Sequence, residues 1–186
     1  MPYRIDFFAV FIFLGIIQAI FLSFFFLSSE NRKNQANVFQ GLLLIVVACC
    51  IFEIFLMYTG YIIHTFYLVD FSESLAFLIG PLFYFVVLTL VRGRVNRIQY
   101  LHLLPFVLYS FYLIPFLALP EDAKYNAWVA SYRPDLPFRD FEYVYTTDLL
   151  AIRKYVTHLT LVSIFLYTLI GIVETIKAFQ KKKESF

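Results

Sequence analysis

The chain has 186 residues, of which 61% are hydrophobic and 15% charged, with a formal net charge of +2 and a mean hydropathy of +0.77. Soluble domains run nearer to about 45–50% apolar and about 25% charged. The charges here are too few and too clustered to clothe a water-soluble surface, so the composition excludes an ordinary soluble domain and points to lipid as solvent.

A spanning helix needs about 20 mostly apolar residues. The first such segment is Phe7–Leu27, with Gln18 at its middle. Only Arg4 precedes it as a basic residue, its apolar run is too long for a signal peptide, and no small-x-small cleavage site follows. It is therefore expected to be an uncleaved anchor. The loop SSENRKNQAN leads to a second segment, residues 38–61, where Glu53 is the only charge between Val38 and Val69.

An acid at that depth costs about 2.5–3.5 kcal/mol on insertion scales and should face the bundle interior or a wet cavity. Depth selects Gln18 and Tyr109 as expected partners, with Ser110 and Tyr112 nearby and His158 somewhat shallower. A hydrogen-bonded Glu53–Gln18–Tyr109 cluster is the expected arrangement. Two functions stay open for it: glue between helices, or a ligand contact or protonation switch. A proton pathway lacks a second mid-membrane acid or base in segments one, three and four. Cys49 and Cys50 adjoin each other in the same apolar run and read as packing residues without redox or metal work.

The third segment is residues 74–91 and the fourth 100–119. Gly80 and Pro81 are expected to break the third helix, and Pro105 and Pro115 the fourth. Packing and a ligand-lining gap are both open readings of these breaks. The connection 120–154 is too long for a turn and too aromatic for a linker, carrying Trp128, Tyr132, Phe138 and Tyr143 among others. EDAKYNAWVASY within it predicts a short amphipathic helix at the interface, where Trp and Tyr prefer to sit. The connection is expected to be either a structured aromatic belt or a lid over a small extracytoplasmic ligand. Thr147 or Asp148 is the expected N-cap of the last segment, residues 155–176. Glu174 should pair with Lys177 or Lys181.

The first loop, the third loop and the tail hold nine of the 15 basic residues, including Arg32, Arg92, Arg94, Arg97 and Lys181. By the positive-inside rule the N-terminus is expected outside and the C-terminus in the cytoplasm. The fold class expected is thus an all-α, polytopic transmembrane bundle of five spans in one membrane domain. No phosphate loop, HExxH, CxxC or GxSxG occurs, and His64, His102 and His158 are scattered in depth. No enzyme activity, metal or cofactor is expected.

Three stretches carry a likeness: LGIIQAIFLSFFFLSSENRKNQANVFQGLLLI (14–45), LIGPLFYFVVLTL (78–90) and HLLPFVLYSFYLIPF (102–116). In this order and spacing the chain resembles the N-terminal membrane region of membrane-embedded AraC-type bacterial transcription regulators. The resemblance covers nearly the whole chain. It implies a multi-pass inner-membrane sensor or anchor, with DNA bound only through a C-terminal helix-turn-helix part that is absent here. The chain departs from that pattern at KKKESF, so either a fragment of a longer regulator or a shortened relative is expected. A homodimer is compatible with this reading. The alternatives are a small oligomeric transporter or channel subunit, which needs a continuous polar stripe, and a structural membrane scaffold.

Overall fold

The computed structural model describes residues 3–141 and 148–183. Among these the chain is all-helical, and five helices are long and apolar enough to cross a membrane. The helices are α1 (Phe7–Leu27), α2 (Gln35–Thr59), α3 (Glu73–Arg92), α4 (Leu104–Leu117), α5 (Glu121–Tyr132) and α6 (Val156–Lys183).

Local chemistry sets their ends. Asp6 caps α1 by accepting the Ala9 N–H at 3.0 Å, and Asn34 caps α2 through the Ala36 N–H at 2.9 Å. Gly60 and Gly93 stop α2 and α3 with φ of 80° and 78°, the left-handed conformation that a side chain would disfavour.

The helices approach closely where residues are small. Ala9, Ile16, Ala19 and Ser23 form one buried stripe on α1, and the Ser23 hydroxyl donates to the Gly41 carbonyl of α2 at 2.9 Å. Gly80 does the same for α3 and α6, since a Cβ there would lie 2.6 Å from the Tyr167 ring. The remaining apolar side chains largely point outward: Phe7, Phe8, Phe21 and Phe24 of α1 and Phe111 of α4 are all exposed. Water would penalise that surface heavily, whereas hydrocarbon would not.

The expected helix breaks take other forms. α3 runs uninterrupted through Gly80 and Pro81. Pro105 stands in the first turn of α4, where its missing N–H has no helical partner to lose. A 3₁₀ segment, Arg97–Leu103, precedes it and completes the fourth long helix. Pro115 lies in the last turn of α4. Gly80 and Pro81 thus lie buried within α3, Pro105 marks the change from 3₁₀ to α geometry inside the fourth long helix, and Pro115 stands near its end.

Two apolar cores stack along the bundle. One, around Phe39, Val46, Leu82, Phe85 and Leu88, fills the end that carries Arg32, Arg92 and Lys177. The other, around Leu56, Phe66, Phe77, Leu113 and Trp128, lies under α5. Helix α5 buries Ala123, Lys124, Tyr125, Trp128 and Val129, so it plugs this capped end instead of resting on it. The following segment is folded back: the Asn126 side chain exchanges two hydrogen bonds with the Arg139 backbone, at 2.9 and 2.8 Å.

Candidate functional site

The site is built at the capped end, where the α2–α3 connection passes beneath α5. Ser72 precedes α3 with no side-chain cap of its own. Glu53, only 7% exposed, supplies one from α2: its two oxygens accept the Asp70 N–H at 2.6 Å and the Ser72 N–H at 2.9 Å. Backbone amides at a helix start attract negative charge, so a carboxylate from the neighbouring helix completes the end of α3. Glu53 thus fastens the α2–α3 connection to the helix beside it.

The same connection turns a second carboxylate inward. Asp70 takes φ 60°, uncommon for a non-glycine, and its carboxylate meets the Arg153 guanidinium. Arg153 also reaches Glu73 through Nε at 3.5 Å and lies 3.5 Å over the Phe116 ring. Tyr109 donates its hydroxyl proton to Glu73 at 2.7 Å. One arginine thus joins α3, α4 and the start of the last long helix, with both ion-pair side chains less than a fifth exposed. Burial pushes the Asp70 carboxyl up to about 6, although Arg153 opposes the shift.

Two further contacts brace the node. Buried Lys124 of α5 donates to the Leu117 carbonyl at the end of α4, 2.8 Å away. Burial lowers the Lys124 pKa, against the attraction of Asp70 and Glu121. Tyr112 donates to Asp148 at 2.5 Å, and Asp148 also accepts the Arg153 N–H at 3.3 Å. Asp148 therefore satisfies the first turn of the last long helix, while Thr147 lies outside the described residues.

No family model, curated protein or solved structure matches this chain. The node must be read from its own geometry.

That geometry differs from the expected cluster. Glu53 sits in the node, but bonds backbone amides instead of Gln18 or Tyr109. Tyr109 reaches Glu73, and Tyr112 lies beside it with ring centroids 6.0 Å apart. Gln18 and His158 are exposed on α1 and α6 and take no part. Of the connection's aromatics, Trp128 is buried, Tyr132 and Phe138 are exposed, and Tyr143 lies outside the described residues. Asp70, Glu73, Arg153 and Lys124, and the full role of Asp148, lie outside the expected cluster. A signal existed: Asp70 and Glu73 bracket the start of the third helix, three residues apart, next to a strongly apolar run.

At the opposite end, Glu174 pairs across helices with Arg92 and, within α6 at 3.9 Å, with Lys177. The interhelical partner was not foreseen. Cys49 and Cys50 are free thiols, both half-buried. Among the described residues no group of three metal-ligating side chains converges.

Proposed function

We propose that the chain is a five-span, non-enzymatic membrane module, with the capped end outside and the lysine-rich end in the cytoplasm. In this reading it is the sensory and anchoring part of a one-component transcription regulator of the AraC type in a bacterial inner membrane. The observation that carries it is the position of Arg153. This residue begins the last long helix and is locked to Asp70 and Glu73, on the connection that Glu53 also holds. Helix α6 then packs along α3 through Gly80 and Tyr167 and meets Arg92 through Glu174 near the other end. A shift in the outer node would move α6 as a rod, and its cytoplasmic end would carry the shift to an output domain. The charged groups concentrate at the two ends and a packed apolar core separates them, which favours coupling over conduction.

The test has two arms. In a background with Cys49→Ser and Cys50→Ser, a cysteine placed at Phe138 should react with an impermeant maleimide on intact cells, and one placed at Lys181 should not. With a DNA-binding reporter joined after Phe186, Glu73→Gln should change reporter output several-fold at equal membrane abundance. Reversed labelling would overturn the topology. Unchanged output together with correct labelling would leave only an anchor.

A further inference from the structure

Gln18 carries an amide at the middle of α1, and nothing in the bundle answers it. It lies 11 residues after Phe7 and nine before Leu27, about 17 and about 14 Å along the axis. There it is exposed and makes no hydrogen bond among the described residues. No other polar side chain is exposed in the middle third of the five long helices among those residues. Hydroxyls within the spans are satisfied inside the fold: Ser23 by Gly41, Ser110 by Phe106 and Thr168 by Ile164. An amide without a partner in hydrocarbon keeps its whole desolvation cost, and this side chain is too short to reach either interface.

The face that carries Gln18 is open. Helix α1 packs on α2 through Ala9, Ile16, Ala19 and Ser23, and on no other long helix to a comparable extent among the described residues. At about 3.6 residues per turn, Gln18 falls on the opposite side. It lines up there with Phe11, Leu14, Phe21 and Phe25, each more than half exposed.

We propose that this stripe of α1 is the contact between two parallel copies of the chain, with the two Gln18 amides paired at its centre. Symmetry selects the partner. A two-fold axis along the membrane normal preserves depth, so each Gln18 meets its equivalent at the same level. An amide carries both an acceptor oxygen and N–H donors, so the pair can exchange two hydrogen bonds. Polar side chains at such positions hold membrane helices together. A different protein would have to present a matching group at this level by coincidence, whereas a second copy does so by construction. The inference rests on reading α1 as a membrane span, and on no part of the regulator output.

The full chain with Cys49→Ser and Cys50→Ser, labelled at a cysteine appended after Phe186, is placed in vesicles of dioleoylphosphatidylcholine. Energy transfer between labels should rise with the protein-to-lipid ratio. Gln18→Leu, at a position that no other residue of the chain bonds, should weaken the dimer about five- to ten-fold. Gln18→Asn keeps an amide and should retain most of the association. In cell membranes, on the same cysteine-free background, Leu14→Cys and Phe21→Cys should each give disulfide-linked dimers on mild oxidation. Ile20→Cys, on the flank of α1 away from the stripe, should not. Alkaline carbonate extraction separates the two ways of failing. A chain released from membranes would sink the span reading and the dimer together. A chain that is retained but monomeric at every density, indifferent to Gln18→Leu, or linked equally through Ile20→Cys would overturn the dimer alone. Linkage of Leu14→Cys only to a different protein would overturn the second copy as partner.

Discussion

The two ends of this bundle supply the cations for their buried carboxylates in different ways. At the lysine-rich end Glu174, 12% exposed, is met by two side chains that reach in from solvent, Arg92 at 47% exposure and Lys177 at 66%. At the capped end Arg153, Asp70 and Glu73 are each less than a fifth exposed and tied to a tyrosine, an aromatic face and a helix start. Exposed ion pairs contribute little, about 0–1 kcal/mol, because solvent screens them. Buried ones are costly to assemble and costlier to break, because the survivor is left unpaired in a medium of low dielectric. The difference teaches where a small perturbation is amplified: at the capped end one arginine serves two buried acids and is brittle, while at the other end two cations serve one acid and either can be spared.

The comparison is sharpest in a pair of arginine substitutions. Arg153→Met should cost about 3–5 kcal/mol by stranding Asp70 and Glu73. It should lower the thermal midpoint in detergent by more than Arg92→Gln, because Lys177 stays beside Glu174 when Arg92 is lost, whereas Asp70 and Glu73 have no second cation paired with them among the described residues. Equal losses would erase the distinction between the ends.

Proton linkage gives the next largest effect. The Asp70 carboxyl is raised from its ordinary 3.8 to about 6, so the folded chain holds this proton more tightly than the unfolded one. Stability from this group therefore rises as pH falls from about 6 to about 4, and is lost as pH climbs back through 6. Two units correspond to about 3 kcal/mol. Arg153, Glu53 and Lys124 act on Asp70, and Glu73 is coupled to it, so Asp70→Asn is the control, and it should flatten the thermal midpoint between pH 4 and pH 7. A wild-type midpoint that falls on acidification across that range would contradict the assignment.

Smaller effects test the fastenings one at a time. Glu53→Gln keeps the shape but turns an NH₂ group toward a backbone N–H, so about 1–3 kcal/mol should be lost. Gly80→Ala forces a methyl to 2.6 Å from Tyr167 and should cost about 1–3 kcal/mol, whereas Gly15→Ala, with nothing within 4 Å, should be near neutral. Chemical denaturation in mixed micelles would measure both. If Gly80→Ala were as mild as Gly15→Ala, α6 would not be seated on α3 as described.

Much of the fold was legible because apolar length alone marks a helix that can cross hydrocarbon. The five segments and the helix over EDAKYNAWVASY coincide with the observed helices to within a few residues, apart from a last helix that extends to Lys183. The candidate site was only half legible. Glu53 announced itself by standing alone in an apolar run, but its acceptors' partners are backbone amides, which no residue type reveals. Arg153 lies 83 positions from Asp70 and 80 from Glu73, and it looked like one more charge in a long connection.

Composition and hydropathy by themselves determined that this polypeptide forms long apolar helices with charges gathered between them, because burial of apolar length depends only on local sequence. Which charges meet was decided by tertiary structure. Helix depth is read along one axis, while pairing also depends on which face each helix turns inward, and rotation about a helix axis is set by packing. That is why Gln18, at a suitable depth, faces outward, and Asp70, from a tight left-handed turn, faces Arg153.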